Sequence, residues 1–104
     1  MSPRIALDRN QIAEFCQRHH IRKLSLYGSV LRDDFRPDSD VNVMVEFERG
    51  HEPDLMRLVR IQEELSEILG RKADLVEREA VENSENYIRR RHILQSLETV
   101  YVAR

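Results

Sequence analysis

The chain has no tryptophan, a single cysteine, only three glycines and three prolines, and almost no excess charge, with 17 Lys and Arg against 19 Asp and Glu. Each scarcity removes a class of protein. One thiol closes no intramolecular disulfide and offers no zinc spacing, so Cys16 points to a reducing compartment, and the cytoplasm is the expected location. A net charge of -2 and a pI near 6.1 supply no basic field to hold a nucleic-acid backbone by counterion release, so direct nucleic-acid binding is not expected. No stretch approaches the ~18 apolar residues of a membrane span. Met1 to Asn10 alternate charged and apolar residues without an apolar h-region, so neither secretion nor membrane insertion is expected.

What is present is the mixture of a folded domain, 40% apolar and 35% charged over 104 residues. That length buries one core and leaves no room for a separate substrate-binding module, so one domain over residues 1–104 is expected. Leu7 to Ile12 reads as a helix start, with Asp8 as cap, Gln11 reaching back and Leu7 stapling against Ile12. The helix should run to about His19, with Ile12, Phe15, Cys16 and His19 on one stripe, which makes Cys16 a small core residue rather than a nucleophile. Lys23 to Tyr27 alternates with period two and stops at Gly28, as a strand entering a turn does; a short helical turn is expected over Ser29 to Arg32.

After the turn signal Pro37-Asp38-Ser39, Val41, Val43, Val45 and Phe47 point one way while Asp40, Asn42, Met44 and Glu46 point the other. A helix follows from near Asp54, carrying Leu55, Leu58, Val59, Gln62, Leu65, Ile68 and Leu69, with Gly70 as its stop. Lys72 to Val76 forms a third strand, Asn86 to Gln95 a last helix, and Glu98 to Val102 has strand composition. This order describes an α/β (α+β) fold, a small sheet with helices packed on one face and the other face free to hold a ligand.

The chemistry gathers on that second face. Asp40 and Asn42 are two apart on a strand and leave the same side; with Leu75 facing the core, Asp74 lies on that side too. Two carboxylates and an amide suit Mg²⁺, which prefers oxygen ligands shared with substrate phosphates and water. Two such ions clamp an in-line phosphoryl or nucleotidyl displacement. Gly28 lets a phosphate approach the backbone, Ser29 and the free amides of the following turn donate to anionic oxygens, and Arg32 adds a positive charge one turn on.

Gly28-Ser29, ten residues, Asp40-x-Asn42 and a later strand Asp74 together resemble the signature of the polymerase beta-like nucleotidyltransferase superfamily: Gly-Ser, ten residues, Asp-x-Asp and a third downstream Asp. The runs GSVLRDDFRPDSDVNVMVEF and GRKADLVE and the ending YIRRRHIL…VYVAR look like the minimal nucleotidyltransferase (MNT) antitoxins, which are typically encoded beside a HEPN-domain ribonuclease toxin. The resemblance implies a minimal nucleotidyltransferase fold with a small mixed sheet. It also implies protein adenylylation: ATP as substrate with Mg²⁺, and transfer of AMP to a tyrosine of the toxin partner. By that resemblance Gly28 and Ser29 hold the triphosphate, Asp40 and position 42 bind metal, and Asp74 completes the site and helps activate the acceptor hydroxyl.

Asn42 departs from the pattern. Its amide oxygen can ligate Mg²⁺ but lacks a carboxylate's charge, so metal affinity and turnover should fall. Three readings stand at position 42: a deliberate inactivating substitution, a natural pseudoenzyme that works by binding, and a weakened enzyme. The function is therefore read as adenylyl transfer to the toxin or as neutralisation of it as a binding module, with an RNA-directed transferase as a third reading that the near-neutral charge and the missing second domain count against. His19, His20, His51 and His92 lack partners at metal-ligand spacing and are read as surface or helix-end residues. Arg89 to His92 reads as a solvated helix end, or else as a docking surface for an acidic partner or nucleotide phosphates. Tyr27, Tyr87 and Tyr101 read as packing or interface residues.

Overall fold

The computed structural model describes residues 8–28 and 40–103. The expected turn over Ser29 to Arg32, the turn signal at 37–39 and the Leu7 staple lie outside the described residues. Asp8 begins the first helix, its carboxylate accepting from the amides of Asn10 and Gln11 at 3.1 and 3.2 Å. A cap of this kind stabilises by about 1 kcal/mol. Helix α1 (Arg9–Arg18) then ends at His19, and His20, in a left-handed conformation with φ 56°, turns the chain into strand β1 (Ile21–Tyr27).

Strand β2 (Val41–Phe47) pairs antiparallel with β1, and helix α2 (Leu55–Leu69) crosses over to strand β3 (Ala73–Glu77), which pairs with β2 in parallel. Two short helices follow, α3 (Arg78–Glu82) and α4 (Tyr87–Gln95), before strand β4 (Glu98–Val102) returns antiparallel to β1. The sheet order is β3-β2-β1-β4, a small mixed sheet as expected, and the tail that had only strand composition closes its outer edge. No helix among the described residues is long and apolar enough to cross a membrane.

The main core lies between one face of the sheet and helices α1 and α2. Val41, Val43 and Val45 are fully buried there with Ile12, Phe15, Leu24, Leu26, Ile61 and Leu65. Cys16 is buried among them, and burial pushes its thiol pKa up to about 12, so it stays protonated and unreactive. The buried stripe of α2 is rotated from the expected one. Ile61 and Leu65 face the core with Leu58, Ile68 and Leu69 packed against it, while Leu55, Met56 and Val59 are exposed. At 100° per residue, the period through 58, 61, 65 and 68 is a better fit to one helix face than a stripe begun at 55.

The other sheet face is not wholly free. Tyr27 and Met44 project from it and are covered by Val81 of α3 and Ile93 of α4, a second and smaller apolar cluster. Helix α3 falls within the polar stretch that carried no helix signal. Among the described residues, the part of this face that α3 and α4 leave uncovered is the end of the sheet where β1 stops and β2 and β3 begin.

Strand β3 is an edge strand, and α2 supplies partners for its outward amides. Ser66 Oγ accepts from the Ala73 amide at 2.9 Å while donating to the Gln62 carbonyl at 2.9 Å, and Gln62 Oε1 accepts from the Leu75 amide at 3.0 Å. Those two amides flank Asp74. We predict that Ser66→Ala and Gln62→Ala each cost about 1 kcal/mol, read as a melting-temperature loss of roughly 4–8 °C by circular dichroism. An unchanged melting temperature would show that solvent satisfies these amides equally well.

Candidate functional site

Three strand ends meet at the uncovered corner. Tyr27, the last residue of β1, is the register partner of Asn42, which in turn is the register partner of Asp74 on β3. Asn42 and Asp74 thus stand side by side on the face opposite the valine core, as the period-two alternation requires. Asp40 lies immediately before β2, exposed, with Lys72 Nζ 4.0 Å from its carboxylate. The junction is anchored beneath by the Val41 amide donating to the Lys72 carbonyl at 2.9 Å. Lys72 was not among the residues singled out from the sequence; only its position next to β3 signals that it would reach Asp40.

Gly28 ends β1 with φ 82°, a left-handed conformation that costs an L side chain about 1 kcal/mol or more. A second constraint acts on it. A Cβ at this position would lie 2.6 Å from Asn42 Nδ2, so the side chain at 42 occupies the space a side chain at 28 would need. Gly28 therefore lets the side chain at 42 pack against the end of β1, with its amide nitrogen nearest to the missing Cβ. Ser29 and Arg32, the other two residues assigned to nucleotide binding, lie outside the described residues.

The donor chemistry of the corner is wholly oxygen: carboxylates of Asp40 and Asp74 and the Asn42 amide, without thiol or imidazole. Such a set fits a hard divalent cation such as Mg²⁺, which accepts carboxylate and amide oxygens and completes its shell with water and phosphate. The fit is weaker than that of three carboxylates by one negative charge.

Beside this corner is a partly apolar pocket of about 170 Å³, lined by Tyr27, Val76, Ala80, Val81, Ser84, Arg90 and Ile93. Arg90 is held at its rim by donating to the carbonyls of Glu82 and Ser84 at 3.2 and 3.4 Å, with its guanidinium 5.3 Å from the Tyr87 ring centre. Within the basic run, expected to be a solvated helix end or a docking surface, Arg91 and His92 are exposed while Arg90 braces the α3–α4 connection. Its helical position, facing back over α3, is not visible in a run of consecutive arginines. Tyr27 is buried and Tyr101 packs on the main core, as expected of packing residues, whereas Tyr87 is exposed.

The histidines divide. His19 Nε2 lies 2.7 Å from Glu64 Oε2 and so ties α1 to α2. His20 and His51, expected to be without metal-ligand partners, are brought together with Glu48 at the opposite end of the sheet. An acidic cleft lies at that end as well, between β2 and α3, lined by Glu46, Glu52, Glu77, Glu79 and Glu82 around Arg78. Burial, reinforced by the charges of Glu79 and Glu52, raises the Glu77 pKa above the ordinary glutamate value.

A family model described as a nucleotidyltransferase domain matches residues 9–96. A protein adenylyltransferase, MntA of Thermococcus cleftensis, is 35% identical over 63 residues, covering 61% of this chain and 62% of its own length. A Methanocaldococcus jannaschii protein with a provisional protein-adenylyltransferase assignment is 32% identical over 68 residues, 65% of this chain and 71% of its own. The matched region thus leaves a third or so of these relatives' length unaccounted for. Among solved structures, one described as a minimal nucleotidyltransferase superposes with a TM-score of 0.65 at 28% identity, covering 86% of each chain. A toxin-antitoxin crystal structure with AMP-PNP gives a TM-score of 0.70 over 94% of this chain and 76% of its own, and at 15% identity this is a likeness of fold. A complex of tri-AMPylated Shewanella oneidensis HEPN toxin with its MNT antitoxin gives 0.62 at 14% identity, over 91% of this chain and 70% of its own.

Two outcomes follow from the side-chain environments. Gly28→Ala should displace the residue at 42 and lower stability by about 1–3 kcal/mol, with the loss reduced in Gly28→Ala/Asn42→Ala; equal losses in thermal melts would show no coupling between the two positions. For Glu77, the folded state binds its proton more tightly than the unfolded chain. Stability is therefore lost as pH rises from the ordinary glutamate pKa through the raised one. Glu77→Gln should raise the melting temperature at pH 7 and lose that advantage near pH 3.

Proposed function

Because the chain belongs to the nucleotidyltransferase domain family, we propose that it is an antitoxin that transfers AMP from ATP to a tyrosine hydroxyl of a HEPN-domain toxin. The observation that carries the proposal is the Asn42–Asp74 pair beside Gly28, with Asp40 at the mouth of the same strand. The T. cleftensis relative is named a protein adenylyltransferase, and the S. oneidensis neighbour is a complex of an MNT antitoxin with an AMPylated HEPN toxin. Both agree with the direction of the reading. Localisation in the cytoplasm, where ATP and a reduced Cys16 are found together, belongs to the same proposal.

In this reading the acceptor oxygen attacks the α-phosphorus of ATP in line, the bond to the β-phosphate oxygen breaks, and pyrophosphate leaves. Asp40, the Asn42 amide oxygen and Asp74 would hold Mg²⁺, which when bound would neutralise charge developing on the attacking and leaving oxygens. Asp74, exposed and at the start of β3, takes up the proton released by the tyrosine hydroxyl. Gly28, left-handed at the end of β1, would present its backbone to the phosphates, with Ser29 and Arg32 following it in sequence as their donors. In this reading the partner supplies the acceptor tyrosine.

Asn42 favours a second reading, in which the chain neutralises its partner by occlusion alone. An amide in the place of a carboxylate keeps the shape of the ligand and gives up its charge, so binding geometry survives better than turnover. The two readings separate when the chain and Asn42→Asp are each incubated with the HEPN-domain partner, ATP and Mg²⁺, and the partner is weighed by mass spectrometry. The Asp form should add AMP to a partner tyrosine and the Asn form should be slower by roughly a hundredfold. Equal rates would overturn the role given to position 42. Modification by neither, with toxin neutralisation intact, would overturn adenylyl transfer and leave the binding module.

A further inference from the structure

The end of the sheet remote from Asn42 holds a cluster that nucleotidyl transfer does not use. His20 joins α1 to β1, and Glu48 and His51 lie just beyond β2. One ligand atom from each, imidazole nitrogens of the histidines and a carboxylate oxygen of Glu48, fall within 4.8 Å of one another. His20 Nδ1 is 3.7 Å from Glu48 Oε2, and the two imidazoles stack with centroids 3.9 Å apart and planes 14° from parallel.

The backbone holds this grouping. The Glu48 amide donates to the His20 carbonyl at 2.7 Å across the β1–β2 ladder, and the His51 amide donates to the Glu48 carbonyl at 2.9 Å in the turn that follows β2, so all three residues are tied through the backbone. His20 sits at φ 56°, a left-handed conformation that residues other than glycine adopt at a cost. One exposed His–Glu contact is ordinary on a protein surface; here the backbone brings a second imidazole, stacked on the first, to the same carboxylate.

We propose that His20, Glu48 and His51 form a binding site for a transition-metal dication of the Zn²⁺ class. Imidazole nitrogen with one carboxylate oxygen selects Zn²⁺, Co²⁺, Ni²⁺ or Cu²⁺ over Mg²⁺ and Ca²⁺, which favour oxygen throughout. Zn²⁺ takes nitrogen and oxygen ligands at about 2.0–2.2 Å, so the three groups close on the ion by side-chain rotation. His51 is exposed and the Glu48 side chain is half exposed, so both have room to do this. Three protein ligands leave a fourth position for water. The site would cross-link the start of β1 to the end of β2, about 20 Å along the strands from the Asn42 corner. It is therefore chemically and spatially distinct from the oxygen-ligand corner.

The test titrates metal-free full-length protein with Zn²⁺ by calorimetry and with Co²⁺ by visible absorption, in an Asp40→Asn/Asp74→Asn background that removes the carboxylates of the other corner. Saturable Zn²⁺ binding at micromolar concentration, with d–d bands for Co²⁺ displaced by Zn²⁺ and not by Mg²⁺, is expected. His51→Ala should weaken it by tenfold or more, about 1.4 kcal/mol. His20→Asn should do the same while tolerating the left-handed conformation, and His92→Ala should leave it unchanged. Circular dichroism on the same samples confirms that each variant is folded. Zn²⁺ affinity unaffected by His20→Asn and His51→Ala, or absent at millimolar metal in the folded background protein, would overturn the proposal.

Discussion

The parallel register between β2 and β3 is the constraint on which the candidate site rests. It sets Asp74 opposite Asn42, and a slip of one residue would turn Asp74 into the core and Ala73 or Leu75 out of it. Parallel pairing at a sheet edge is held on one side only, so the register needs support from outside the ladder. Ser66 and Gln62 provide it, because their oxygens accept the outward amides on both sides of Asp74. A helix that packs by apolar contact alone would fix the distance of β3 from the core; these two polar groups fix its position along the strand.

Much of this was legible in the sequence because strands announce their faces. The alternation from Asp40 to Phe47 identified the valine face and, opposite it, Asn42, and Leu75 against Asp74 extended the same logic to β3. Helix ends were readable where a side chain does the capping, as with Asp8 and Asp54. The fold class followed from element order, and the family comparison agrees with it. The contacts that needed three dimensions were different in kind. Ile61 escaped the expected stripe of α2 because Leu55 and Val59 are equally apolar and nothing local says that their side faces outward. Helix α3 was missed because five residues carry too little periodicity to be seen, and with it the covering of Tyr27 and Met44.

The site residues show the same division. Asp40, Asn42, Asp74 and Gly28 are brought to one corner, as their strand positions required. Ser29 and Arg32 lie outside the described residues, so their assignment rests on the sequence pattern. Lys72 and Arg90 were invisible because each acts through a neighbour that chain order does not reveal: Lys72 through the strand pairing beside Asp40, Arg90 through carbonyls of the preceding connection. The meeting of His20 with Glu48 and His51 is of this kind too, a product of the β1–β2 pairing rather than of ligand spacing along the chain.

The close fit between Gly28 and the side chain at 42 bears on how this chain can change. Asparagine and aspartate have nearly the same shape, and their codons differ at one base. The hollow left by the missing Cβ at 28 would receive a carboxylate as readily as the amide it now holds. The charge at the corner can thus be gained or lost in one mutational step without repacking its surroundings, whereas any side chain at 28 would close that route in both directions.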